Sequence, residues 1–439
     1  MRDLMRPVTR PVLRPPFGDL RGGGRRVFNP SQLFAKGENG WWIDVADLDT
    51  VFTDTAGTAR VQNQGDLIAR VSDKSGNGNH FTKALSGSRM ALNQLPTSRR
   101  PYADATGSKT LSISAPTMSN CTVVRLLSGG PTIQTGQSIS GAVNRAASTF
   151  GEIVINRDLT AAELAALTIW TQQRCGSLDQ LNVQYGADAT NELLDFYPSS
   201  GHPRSPIIVM VHGGGWRNGD KLLSNVVQNK FQHWIPKGIS CASVNYKLDV
   251  GTDPVTVQAV SVAKAVAYIQ AQYPGRPIIV VGHSAGAHLT NLFMSDDGIR
   301  NGAGVKLGGI IGMLLLDSAA YNVSVIMNDT HWSGYDEPFS GGQAQWNAAS
   351  PTLVLASKMP PTMCVVSQWG GAHGEDDAAN TQAWIDAATA LGTTVTRRDT
   401  PLDHGDLNNF LGLPASSASL AADTNYTTDV DAWLATLGI

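Results

Sequence analysis

The sequence predicts an α/β chain. A doubly wound sheet is expected in the C-terminal part, preceded by a small β-sandwich-like domain and an extended N-terminal peptide. Three observations carry this expectation. Two apolar runs, Pro206 to Val211 and Pro277 to Val281, each end in a glycine-rich turn, and the second continues into a helix-compatible stretch, Ala287 to Met294. Residues 28–174 show instead short β-prone runs between Asn-Gly and Ser-Gly turns, the pattern of an antiparallel sandwich. Residues 1–26 hold seven Arg and two Asp among repeated Pro and Gly, a composition that cannot build a core.

Length and charge set the outer bounds. At 439 residues the chain is too long for one ordinary domain. The expected division is 1–26, an anchor peptide; 27–176, the β-rich module; and 177–439, the α/β domain. Net charge is −3, split as +5 on residues 1–26 and −8 on the rest. The basic segment lacks an apolar stretch, so no secretory signal is expected, which would leave the protein cytoplasmic. There is no apolar run of about 18 residues, so no membrane insertion is expected. The arginines are not interleaved with aromatic residues, so no nucleic-acid partner is expected. Cys121, Cys175, Cys241 and Cys364 have neither metal-binding nor redox spacing and read as core or surface thiols.

Along the β-rich module, Trp41-Trp42-Ile43-Asp44 and Leu111-Ser112-Ile113-Ser114 read as strands, and Asp73 to His80 as a turn. Residues 102–148 look short for a complete sandwich. Thr160-Ala161-Ala162-Glu163 is a capping box that opens a helix running to about Gln173. Gly176 ends that helix and marks the domain boundary.

The chemistry concentrates in two glycine turns. Gly282-His283-Ser284-Ala285-Gly286 has the form G-x-S-x-G between a strand and a helix. A serine there sits on a strained turn with its hydroxyl pushed out of the sheet. His212-Gly213-Gly214-Gly215-Trp216 follows the earlier strand. Its glycines leave backbone N–H groups able to approach a ligand closely. Together they offer a nucleophile and a place for an oxyanion, the minimum for acyl transfer.

A serine nucleophile needs a base, and in strand–turn–helix serine enzymes the order is Ser, acid, His. Of nine histidines, His331, His373 and His404 follow the turn at a usable distance. His404 lies in a turn after the β-prone run Thr393 to Arg397, where the base is needed. The two glycine turns resemble those of α/β-hydrolase esterases, and that resemblance implies an acid after the apolar strand Met363 to Val366, near Gly370 and Gly371, whereas carboxylates come only a few residues later. The reading is therefore a lengthened loop in which Asp376 or Asp377 supplies the acid, just before a helix from Ala378 to Leu391. Asp403 is set aside, because adjacent residues rarely aim at each other. No metal or organic cofactor is expected.

From Leu178 to Ile439 the chain resembles α/β-hydrolase esterases of the hormone-sensitive-lipase and arylformamidase-like type. The residues that carry this are Tyr185-Gly186, Leu194 to Pro198, His212 to Trp216, Gly219-Asp220-Lys221, Gly282 to Gly286, Ser350-Pro351 and Asp403-His404. The resemblance implies Ser284 as nucleophile, oxyanion donors from Gly214, Gly215 and Ala285, and Trp216 in the substrate pocket. Phe34 to Asp54, Asp73 to His80 and Ile153 to Leu164 resemble concanavalin-like modules of bacteriophage tail proteins. That resemblance implies a homo-oligomeric virion tail component. Its esterase would deacetylate a bacterial surface glycan, and residues 1–26 would dock on other tail or baseplate proteins. The alternatives are an inactive receptor-binding module on a hydrolase fold, and a formamidase or peptidase of the same fold.

Overall fold

The computed structural model describes residues 28–94, 100–127, 130–176, 178–199, 204–248, 255–318, 320–328, 333–367 and 374–439. The expected anchor peptide, residues 1–26, lies outside the described residues.

Residues 40–155 build one antiparallel sheet. Its strands are β1 (Gly40–Asp44), β2 (Val51–Phe52), β3 (Arg70–Val71), β4 (Phe81–Thr82), β5 (Ala91–Gln94), β6 (Pro101–Asp104), β7 (Leu111–Leu127), β8 (Gly130–Arg145) and β9 (Thr149–Ile155). The order is β2-β3-β4-β7-β9-β6-β5, with β1 added on β9 and β8 on β7. This differs from a sandwich of two separate sheets. β7 serves both halves: Ser112 pairs with Thr82 of β4, and residues 122–127 pair with β9. Register shifts between Ala115 and Cys121 bend it between the two tasks, as bulges do. A bridge between Leu67 and Ala91 brings the ends of the sheet together, so it curls around its own core. Residues 102–148, read from sequence as shortened, contain the long β7–β8 hairpin.

The period of two sorts the side chains. Trp41, Ile43, Phe81, Val123 and Val154 point inside the curl. Trp42, Ile153 and Ile155 point outward and are covered by Leu167 and Trp170 of the helix Ala161–Arg174. That helix opens with the expected capping box. Glu163 N–H donates to Thr160 Oγ1 at 3.2 Å, and Thr160 N–H donates to Glu163 Oε2 at 2.8 Å.

The second sheet comprises β10 (Gln180–Gln184), β11 (Leu193–Tyr197), β12 (Ile207–Val211), β13 (Ser240–Val244), β14 (Ile278–His283), β15 (Ile310–Leu316), β16 (Thr362–Ser367) and β17 (Val395–Thr400). The order is β10-β11-β13-β12-β14-β15-β16-β17. It is parallel from β13 to β17 and antiparallel at β10 and β11. Alternate residues of the central strands enter two cores. Val209, Val280 and Leu315 face the helices Val255–Gln272 and Ala285–Ser295, while Met210, Val281 and Leu316 face Ser224–Trp234 and Tyr426–Thr436. Burial on both faces explains the uninterrupted apolar runs. Strand order reverses between β12 and β14, so the turns that follow them flank the crevice where open α/β sheets bind ligands. Arg100 links the two units through an ion pair to Asp179, with Nε–Oδ2 at 3.0 Å.

Gly40 tests the packing of the first sheet. Its φ is +140°, and an added Cβ would lie 1.9 Å from the carbonyl oxygen of Val154. Gly40→Ala is expected to cost about 1–3 kcal/mol and to lower the melting temperature. A melt identical to that of the unaltered chain would contradict the β1–β9 contact.

Candidate functional site

The elbow is built as the sequence requires. Ser284 follows β14 with φ 54° and ψ −123°, and the helix Ala285–Ser295 begins at the next residue. Its N–H donates to Leu316 O at 2.9 Å, fixing the turn on β15. The flanking glycines have no room for a side chain. A Cβ on Gly282 would lie 2.3 Å from Gly286 O, and one on Gly286 would lie 2.3 Å from Val211 O. A Cβ on Gly213 would lie 2.9 Å from Ser284 Cβ, so the glycine run after β12 lies directly against the elbow.

That run is anchored from outside. Lys221 Nζ donates to Asp195 Oδ2 of β11 at 2.9 Å, with both side chains buried. Asn245, just after β13, accepts from Lys221 N–H at 2.6 Å and donates to Asp220 Oδ2 at 2.9 Å. Trp216 stands at φ 59°. Its indole N–H donates to His288 Nδ1 at 3.0 Å, and His288 Nε2–H donates to Ala349 O at 2.7 Å. Its ring packs on Tyr335 and Phe339. Trp216 therefore lines the cavity as a fixed wall whose ring belongs to the core.

Ser284, Ala285, Gly213, Gly214, Gly215 and His404 line one cavity of about 500 Å³. His404 lies in the turn after β17, and its carbonyl accepts from His283 Nε2–H at 2.8 Å. The residue beside the nucleophile thus braces the loop that carries the histidine. Lys230, fully buried, ties the same region to the helix Ser224–Trp234. Its ammonium donates to Asn408 O at 2.5 Å and to Asn225 O at 2.7 Å. Burial pushes its pKa down to about 7.

The acid is the principal correction. His404 Nδ1 lies 2.8 Å from Asp317 Oδ2. Asp317 directly follows β15, one strand nearer the elbow than the position expected from sequence. Its φ is 52°, and its N–H still pairs with Val365 O of β16 at 2.9 Å. The carboxylate also accepts from Ser367 N–H at 2.9 Å and Ser367 Oγ–H at 2.7 Å. Burial raises its pKa, but the hydrogen bonds and charge of His404 and the Ser367 donors outweigh this and hold it below the usual carboxylate range. Asp376 and Asp377 fall in the first turn of the helix Gly374–Ala390, and their side chains lie outside the described residues, as do residues 368–373. Asp403 instead caps a turn, accepting from Asp406 N–H at 2.7 Å.

One sequence signal pointed to Asp317. The run Ile310 to Leu316 is apolar apart from one glycine and ends at Asp317. Three strands, β15, β16 and β17, lie between Ser284 and His404, and chain order alone does not choose between the ends of the first two. An Nδ1–H that donates to Asp317 leaves His404 Nε2 as the acceptor, the arrangement a base needs. Among the described residues, no group of three His, Cys, Asp or Glu is placed to hold a metal. No helix among them is long and apolar enough to cross a membrane.

Residues 194–304 match the BD-FAE family model, a span that holds the glycine run and the elbow but neither Asp317 nor His404. Kynurenine formamidase of Danio rerio is 30% identical over 180 residues, covering 39% of this chain and 56% of that protein. The Salmo salar kynurenine formamidase is 30% identical over 148 residues, covering 32% and 47%. The chain thus spans about half the length of these curated relatives. Among solved structures, a truncated carbohydrate esterase from gut microbiota superposes with a TM-score of 0.45 at 15% identity, covering 59% of this chain and 95% of that one. The tail-module resemblance of residues 27–176 draws no support from these similarities.

The two buried histidines make the stability of the fold depend on pH. Burial lowers the pKa of His283 from 6.5 to about 3 and that of His288 from 6.5 to about 4. Both stay neutral in the fold and take up a proton on unfolding below pH 6.5. Their contribution to stability is therefore intact above pH 6.5 and is lost as pH falls towards 4 and then 3. The slope is up to about 1.4 kcal/mol per pH unit for each histidine. Denaturant unfolding between pH 7.5 and 4.5 should show this decline, and a flat profile would contradict it.

Proposed function

We propose that this chain is a serine carboxylic-ester hydrolase. The observation that carries the reading is the single cavity lined by the strained Ser284, by His404 held on Asp317, and by the glycine run 213–215. Ser284 Oγ attacks the acyl carbon, and its proton passes to His404 Nε2. Asp317 keeps the imidazole in the required tautomer and stabilises its charged form. The N–H groups of Gly214, Gly215 and Ala285 receive the oxyanion. The leaving alcohol takes the proton from His404. Water then attacks the acyl-enzyme by the same route and releases a carboxylic acid. The proposed substrate is an acetyl ester of a glycan. The attachment of residues 1–26 to tail or baseplate proteins is a proposal resting on their composition and on the tail-module resemblance.

A second reading is a formamidase, favoured by the similarity to kynurenine formamidases. The same residues would cleave a formyl amide, with His404 protonating the departing amine. Comparing kcat/KM for p-nitrophenyl acetate and for N-formylkynurenine separates the two. The ester reading expects the acetate to be preferred by at least about tenfold, roughly 1.4 kcal/mol, and the reverse preference would replace it.

The site assignment is tested by substitution. Ser284→Ala and His404→Ala should each lower ester turnover by about three or more orders of magnitude. Asp317→Asn should lower it by up to about 10⁴-fold through the wrong imidazole tautomer. Asp376→Asn and Asp377→Asn should stay within a few-fold of the unaltered chain. If either of those two were crippled while Asp317→Asn remained active, the acid would be misassigned.

A further inference from the structure

We propose that the open end of the curled N-terminal sheet is a binding site for a small organic monocarboxylate, separate from the hydrolase cavity. A cavity of about 220 Å³ opens there, walled by Val45, Phe81 and Leu111. Its polar floor is Glu152, buried on the inner face of β9. Glu152 Oε1 accepts from Trp41 Nε1–H at 3.0 Å and from Arg145 Nη2–H at 2.8 Å. Its Oε2 accepts from Arg145 Nε–H at 2.6 Å, and Arg125 Nε lies at 3.4 Å.

One carboxylate here faces two guanidinium groups, so the floor carries an excess positive charge. Arg145 is engaged in a bidentate pair. Arg125 makes only the long Nε contact among the described residues and remains 38% exposed, with its forked end uncommitted. A guanidinium fork matches a second carboxylate bidentately. Apolar walls beside it select a ligand with an apolar body. The volume is below the ~300–1,000 Å³ of drug-sized pockets, which limits that body to the size of one ring or a short alkyl chain. Neutral or strongly polar ligands would leave either the charge or the walls unsatisfied.

The probe is phenylacetate, titrated calorimetrically into the full chain, with phenylacetamide as its neutral counterpart. Phenylacetate should bind at one site at least tenfold more tightly than the amide. Arg125→Gln, at a half-exposed position, should weaken phenylacetate binding at least tenfold. Leu111→Phe, which fills the cavity, should reduce it by a similar factor, with circular dichroism confirming that both variants are folded. No binding of phenylacetate, equal affinity for acid and amide, or binding that survives both substitutions would overturn the proposal. The last outcome would place the ligand elsewhere, including in the Ser284 cavity.

Discussion

The candidate site depends on one close approach, that of two glycine turns at the reversal point of a parallel sheet. Gly286 sits where a Cβ would meet the carbonyls of Val211 and His212, and Gly213 sits where one would meet Ser284 Cβ. Only bare backbone permits that contact. It brings the run after β12 against the elbow after β14, placing N–H groups beside a serine hydroxyl with no side chain between them. The strain at Ser284, with φ 54°, is held by the Leu316 carbonyl on one side and the following helix on the other. Such strain persists only where the surrounding structure over-determines it.

Everything else at the site holds further groups against that contact. The buried Lys221–Asp195 pair and Asn245 fix the outer part of the glycine run to β11 and β13. Trp216, His288 and Ala349 O form a chain of hydrogen bonds through the core behind it. His283 donates to the His404 carbonyl, so displacement of the histidine loop would also disturb the elbow. Asp317 receives three donors from His404 and Ser367, which orient its carboxylate before any substrate arrives. Preorganisation of this kind is where enzymes draw much of their electrostatic stabilisation.

The first unit solves a different problem, that of closing an antiparallel sheet built largely from short strands. β7 and β8 supply the length that β2, β3 and β4 lack, and bends in β7 let it pair with both halves. Curling leaves an open end where inner-face residues are not fully covered. Glu152, Arg125 and Arg145 lie there, on strands that also turn Val154, Val123 and Val143 towards the inner core.

The sequence by itself determined the elements that rest on local chemistry. The strands ending at Val211 and His283, the glycines around Ser284, the capping box at Thr160 and Glu163, and the turn bearing His404 are each specified by neighbours within a few residues. Backbone geometry and hydrogen bonding at that range follow directly from residue type. Only the tertiary structure decided which carboxylate meets His404. Asp317 and Asp376–Asp377 both lie between Ser284 and His404 in the chain and both follow an apolar strand, so neither order nor pattern separates them. The choice came from sheet order, which sets β15 beside β14, and from the Ser367 donors that aim Asp317. In the same way, the period of two showed that residues 28–174 form strands. It could not show that β7 is shared between two halves, because pairing partners far apart in sequence are selected by register and burial across the whole sheet.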